Sequence, residues 1–136
     1  MDFAHLDNTA GEPPAELADH FQGQARLQRL PLPFPGGGPA VFAVHFAAGG
    51  RTKPHVHRNG QLLLITAGRG LIGTEAGPRL VTEGDVVAVQ PHEWHWHGAT
   101  PGSTMTHVTV QVPGADSVDW DVDERDWATT YAEPTP

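Results

Sequence analysis

The stretch "RTKPHVHRNGQ", residues 51–61, sets His55 and His57 one residue apart and follows them with a turn and Gln61. Side chains alternate faces along a strand, so the two imidazoles share one face. Further on, "PHEWHWHG" repeats the spacing with His95 and His97 and leaves Trp94 and Trp96 for the opposite face. In "MTHVTVQV" the same alternation aligns His107, Thr109 and Gln111. A single histidine on a strand face is more often a hydrogen-bonded packing residue than a ligand. A His-x-His pair followed by further histidines on distant strands is a different case: if the three faces line one barrel, imidazoles converge and can hold a divalent metal ion.

Whether Gln61 joins that group depends on the turn before it. A two-residue loop at Asn59-Gly60 pairs His57 with Leu62 and turns Gln61 away. A three-residue loop, Arg58-Asn59-Gly60 with Gly60 in the left-handed region, pairs His57 with Gln61. Gly60 stands where the second turn needs it, which predicts that Gln61, Leu63 and Ile65 point inward with His55 and His57.

The elements that must position these residues are short. Segments rich in Val, Leu, Ile, Phe and Thr ("ARLQRL", "AVFAVHFA", "QLLLITAG", "GLIGTE", "PRLVTE", "DVVAVQP", "WHWHGA") alternate with Gly and Pro at spacings of about ten residues, the pattern of an all-β sandwich or barrel. The run "LPLPFPGGGPA" reads as a loop, since proline cannot donate to a ladder. Residues 1–21 read as an N-terminal arm with at most one helical turn, residues 22–113 as the barrel, and residues 114–136 as an acidic, irregular segment whose Val118, Trp120 and Trp127 pack back on it. Of the remaining histidines, His45 reads as a packing residue, while His5 and His20 suggest no role. In "AVFAVHF", either Phe42 and Val44 or Val41 and Ala43 form the apolar wall of the pocket.

At 136 residues the chain suits one core. With Cys at 0 it has neither disulfides nor thiolate ligands, so a metal must be held by nitrogen and oxygen. A formal charge of -8, with its few Lys and Arg scattered, argues against a nucleic-acid partner. No apolar run approaches a membrane span and no secretory signal is evident, so the expectation is a soluble, cytoplasmic protein acting on a small molecule.

The chain resembles the cupin superfamily of small β-barrels. Gly49, His55, His57, Gln61 and Gly68 match its first motif, with glutamine in place of the usual glutamate; Gly84, Asp85, Pro91 and His95 match its second, with His92 where that motif prefers glycine. The resemblance covers roughly residues 22–112 and implies a jelly-roll barrel. Within the superfamily, "RTKPHVHRNGQ", "WHWHGATP", "MTHVTVQ" and "VDW" are similar to a group of monocupins that includes the manganese-dependent hydroxynitrile lyases. That likeness implies His55, His57, Gln61 and His95 as metal ligands, Thr52, His97, His107 and Gln111 as pocket residues, and manganese as the first metal to consider; Fe, Ni, Zn and Co suit the same donors.

Three neutral imidazoles and an amide leave the ion its full charge, which favours Lewis-acid chemistry; on the cyanohydrin substrate that the likeness implies, His107, or else His97, would be the base. Oxygen-dependent carbon–carbon cleavage and non-enzymatic binding are the alternatives. An apolar outer face on so small a barrel also leads us to expect a homodimer.

Overall fold

The computed structural model describes residues 1–30 and 37–129, so most of the proline-rich loop expected at 30–40 lies outside the described residues. The strands are β1 (Phe21–Gln22), β2 (Ala25–Arg29), β3 (Ala40–Phe46), β4 (Arg51–Thr52), β5 (Val56–His57), β6 (Gln61–Thr74), β7 (Gly77–Thr82), β8 (Val86–Val89), β9 (Trp96–Ala99), β10 (Met105–Gln111) and β11 (Val118–Asp119). Helical structure among these residues is limited to two short 3-10 segments, Ala15–His20 and Ala115–Ser117. No helix among them is long and apolar enough to cross a membrane.

Nine strands form one antiparallel sheet in the order β1-β4-β9-β6-β10-β3-β2, with β7 and β8 also paired to β6. The sheet curls into a nearly closed barrel. β6 makes this possible because it belongs to both walls: Gln61–Leu64 pair with β8, and Arg69–Thr74 pair with β7. The strand bends between those halves at Gly68, whose φ of +78° suits glycine and whose added Cβ would lie 1.9 Å from the Thr104 carbonyl oxygen. The β6–β10 register shifts beside this bend, between Thr106 and His107.

Alternation on β3 and β10 sorts the side chains. Val44 stands opposite His107 and Phe42 opposite Thr109. Phe42 and Val44, with Phe46, Leu63, Ile65 and Met105, pack in the apolar core. Phe42 and Val44 are therefore the pair that forms the interior wall. His45 turns the other way, where it is buried with Nδ1 2.8 Å from Thr106 Oγ1 and Nε2 3.0 Å from Gln28 Oε1.

The terminal segments are tied to the barrel. Glu12 bridges to Leu27, and β1 pairs with β4. On the other side Trp94 and Trp96 form a second apolar cluster with Leu71 and Trp127. The face that carries Trp94 and Trp96 is thus covered by the chain's own C-terminal segment. That segment is also less irregular than the sequence suggests, since β11 pairs with β5. A two-residue strand carries no period from which to read it.

Candidate metal centre

His55, His57, Gln61 and His95 are all buried, as are Thr52, His97 and His107. An isolated bridge joins His55 to His95, so the two His-x-His segments lie side by side. The His55 ring is 4.3 Å from that of His95 and 5.0 Å from that of His57, measured between centroids, and His57 and His95 are 5.3 Å apart. Among the described residues, candidate ligand atoms of His55, His95 and His97 lie within 4.8 Å of one another. The geometry therefore brings His97 as close to the group as the residues expected to be ligands.

Gln61 points inward, but the direct His57–Gln61 pairing expected from the turn does not form. Gly60 has the left-handed φ of +79°, and its N–H closes the turn on the His57 carbonyl at 3.5 Å. That carbonyl also accepts the His92 N–H at 2.8 Å, β5 pairs with β11, and Gln61 takes Val89 and Gln111 as ladder partners. Long-range partners outcompete the local hairpin. His92 adopts φ +61°, the left-handed conformation that the expected glycine would favour.

The hydrogen bonds fix which atoms face the centre. A carbonyl oxygen can only accept, so His55 Nδ1–H donates to Lys53 O at 2.8 Å and His95 Nδ1–H to Glu93 O at 3.0 Å. In each neutral ring Nε2 then carries the lone pair. The Gln61 amide is oriented by its Nε2, which donates to Gln111 Oε1 at 2.9 Å, and this leaves Gln61 Oε1 3.2 Å from His95 Nε2. Two acceptors thus face each other in a buried site. Both His57 nitrogens are buried without a hydrogen-bond partner. A cation resolves all of these at once, so the residues fit a divalent ion with nitrogen and oxygen ligands.

Burial keeps these rings uncharged. It holds His55 and His97 well below the usual imidazole range and lowers His95, while His57 is pushed down to about 4 by burial and then by His95. Neutral imidazole is the form that binds a metal.

A second chain of groups adjoins the first. His107 Nε2 is 2.9 Å from His97 Nδ1, and Thr109 Oγ1 is 3.1 Å from His107 Nδ1. Thr52 Oγ1 accepts the backbone N–H of His97 at 3.2 Å. His97 Nε2 is buried without a partner, whereas both nitrogens of His107 are engaged. Burial pushes His107 down to about 3. The site also includes two rings to which the sequence assigned no part in it. Trp120 lies 4.4 Å from the His55 ring, and His20 stacks on Trp120 at 4.1 Å and 9°. The sequence placed Trp120 among residues packing back on the barrel and within the "VDW" of the family likeness but not against His55, and nothing local marked His20.

Comparison with known proteins bears on the family and the fold. Residues 42–112 match the cupin domain family. The chain is 42% identical over 108 residues to an (R)-mandelonitrile lyase of Granulicella tundricola, covering 76% of this chain and 80% of that protein. Among solved structures, a cupin-like protein of Thermotoga maritima superposes with a TM-score of 0.71 at 29% identity, covering 87% of this chain and 92% of that one. A polyketide cyclase of Streptomyces resistomycificus shares the fold at 15% identity, with a TM-score of 0.69 and coverage of 97% and 100%.

Proposed function

Given that the chain belongs to the cupin domain family, we propose that it is a metal-dependent lyase of the hydroxynitrile lyase type, cleaving or forming cyanohydrins. The observation that carries this reading is the buried set of acceptors on His55, His57, Gln61 and His95, lying against the His97–His107–Thr109 chain. The 42% identity to a mandelonitrile lyase supports it.

His55, His57, Gln61 and His95 would hold the ion, with manganese first and Fe, Ni, Zn or Co suited to the same donors. When bound, the ion supplies positive charge that polarises the substrate and stabilises the negative charge that develops as cyanide leaves. The four residues add no charge of their own, and Gln111 keeps the Gln61 oxygen turned toward them. Of the four nitrogens of His97 and His107, only His97 Nε2 lacks a protein partner, and it would take the proton of the substrate hydroxyl. The O–H electrons become the carbonyl π bond, the carbon–carbon bond breaks with its pair on cyanide, and the proton returns to give hydrogen cyanide.

In one arrangement His97 Nδ1–H donates to His107 Nε2 and His107 Nδ1–H donates to Thr109 Oγ1; in the other both bonds reverse. His107 thus stands behind His97 and sets which of its nitrogens is free. Thr52 fixes the His97 backbone, and Phe42, Val44 and Phe46 exclude water. The test is mandelonitrile cleavage by the wild-type protein and by His55→Ala and His57→Ala. Activity in the wild type and its loss with metal in both variants are expected. A metal-loaded wild type that is inert to cyanohydrins overturns the reading, with oxygen uptake pointing to oxidative cleavage and binding alone to a non-enzymatic cupin.

A second copy of the chain is the partner we propose. Leu62, Val86 and Val112 point outward from β6, β8 and the end of β10, and are 37%, 63% and 44% exposed. Light scattering that gives the mass of one protomer would contradict this.

A further inference from the structure

The C-terminal segment does more than cover the tryptophan face. It is bonded on both sides of His55. The Arg58 N–H donates to Ser117 O at 2.9 Å, Val118 pairs with His57 and Asp119 with Val56. Beyond Trp120, Trp127 Nε1 donates to Thr52 O at 3.0 Å and Arg51 Nη1 donates to Trp127 O at 2.7 Å. Between these anchors the Trp120 ring lies 4.4 Å from the His55 ring at 37°, and the His20 ring stacks on Trp120 at 4.1 Å and 9°. Three rings from three distant parts of the chain therefore pack in series, with the inner one aimed at the centre.

We propose that Trp120, held by this segment and backed by His20, is a positioning residue that fixes the orientation of the His55 ring for metal binding. The inference rests on the metal reading above. An imidazole ligand must lose its freedom to rock about χ1 and χ2 before it can aim a nitrogen. The Nδ1–H bond to Lys53 O restrains one edge of the ring and sets its tautomer, and the rings of His95 and His57 lie 4.3 and 5.0 Å away, but those two rings are themselves candidate ligands. The Trp120 indole, 4.4 Å away and tilted 37°, is a contact from outside that group that limits rocking of the ring, and His20 stacked behind it keeps the indole in place. Hydrogen-bonded groups that orient a ligand contribute about 10- to 100-fold to metal affinity, and a ring that orients it by packing is expected at the lower end of that range.

The experiment uses the full chain stripped of metal and titrated with cobalt(II), whose visible absorption reports coordination geometry and whose dissociation constant is read by competition with a chelator. Trp120→Ala is expected to weaken cobalt binding by roughly tenfold or more and to alter the spectrum, with Trp120→Phe restoring most of both. Val81→Ala truncates the core at β7, a strand paired with β6 that carries no proposed ligand, and should keep wild-type affinity, with every protein measured below its own unfolding temperature. Wild-type affinity and spectrum in Trp120→Ala overturn the proposal while leaving the metal reading intact. The proposal also fails if Val81→Ala weakens binding as much, which would mean general loosening, or if Trp120→Phe behaves like the alanine variant. If the wild type takes up no more cobalt than His55→Ala, the metal reading itself falls and this proposal with it.

Discussion

His107 Nε2 sits 2.9 Å from His97 Nδ1, and this contact makes the two rings one unit: the proton between them belongs to either ring, and its place decides whether His97 Nε2 is a donor or a base. Removing His107 leaves His97 Nδ1 buried without its partner and its tautomer unfixed. His107→Ala should lower kcat for cyanohydrin cleavage by roughly 10²-fold, and His97→Ala by at least as much, with metal content unchanged in both. Loss of metal in either variant would make that ring structural. An unchanged rate in His97→Ala would remove it from proton transfer.

The Gln61 amide donates to Gln111, and as a proposed ligand it would keep the ligand set neutral. Gln61→Glu loses the donor to Gln111 Oε1 and places a carboxylate where Oε1 now lies 3.2 Å from His95 Nε2. Metal should bind more tightly, and cleavage at equal metal content should slow by roughly tenfold, the equivalent of about 1.4 kcal/mol in the barrier. Wild-type and variant proteins matched by elemental analysis and assayed with mandelonitrile make the comparison. A glutamate variant as fast as wild type would show that neutrality is not what glutamine supplies.

His92 holds a left-handed φ of +61° on an exposed turn. That conformation costs a residue with a Cβ roughly 1–2 kcal/mol, part of which glycine gives back in chain entropy. His92→Gly should stabilise the protein by about 0.5–1 kcal/mol, read from the midpoint of denaturant unfolding. A lower midpoint would mean that the imidazole makes a compensating contribution.

Acid should destabilise the metal-free protein. Burial holds His57 near 4 and His107 near 3, against an ordinary value of 6.5. Below that ordinary value the unfolded chain binds more protons than the folded one, so the stability these rings contribute is full above 6.5 and is lost as the pH falls toward 4 and then 3. Unfolding midpoints measured at pH 7.5, 6 and 5 should fall in that order. A flat profile would mean that the rings are accessible to protons in the folded state.

Period-2 alternation is a local property, and what depended on it was legible in the sequence. It gave the inward faces of His55 and His57, of His95 and His97, and of His107 and Thr109, with Trp94 and Trp96 on the far side. Gly60 was legible as well, because a glycine at a tight turn is a local trace of a left-handed backbone, whereas His92 stood out only against the family motif and its own φ could not be read. What could not be read was which strands neighbour which. Residues 20, 55 and 120 meet in one stack, β11 displaces β6 as the partner of β5, and His97 approaches His55 and His95 as closely as any expected ligand. These contacts join residues far apart in the chain, and no spacing encodes them.

The central claim, that the buried histidines serve a metal-dependent lyase, is tested most directly by one measurement: mandelonitrile cleavage by protein purified without chelator or metal column, assayed as isolated, after metal removal, and after restoring the ion that elemental analysis identifies. A metal-dependent lyase is active as isolated, loses activity on stripping, and recovers it in proportion to the metal bound, up to one ion per chain. Cleavage that persists unchanged in the stripped protein would contradict the claim, as would a fully reloaded protein that leaves mandelonitrile intact.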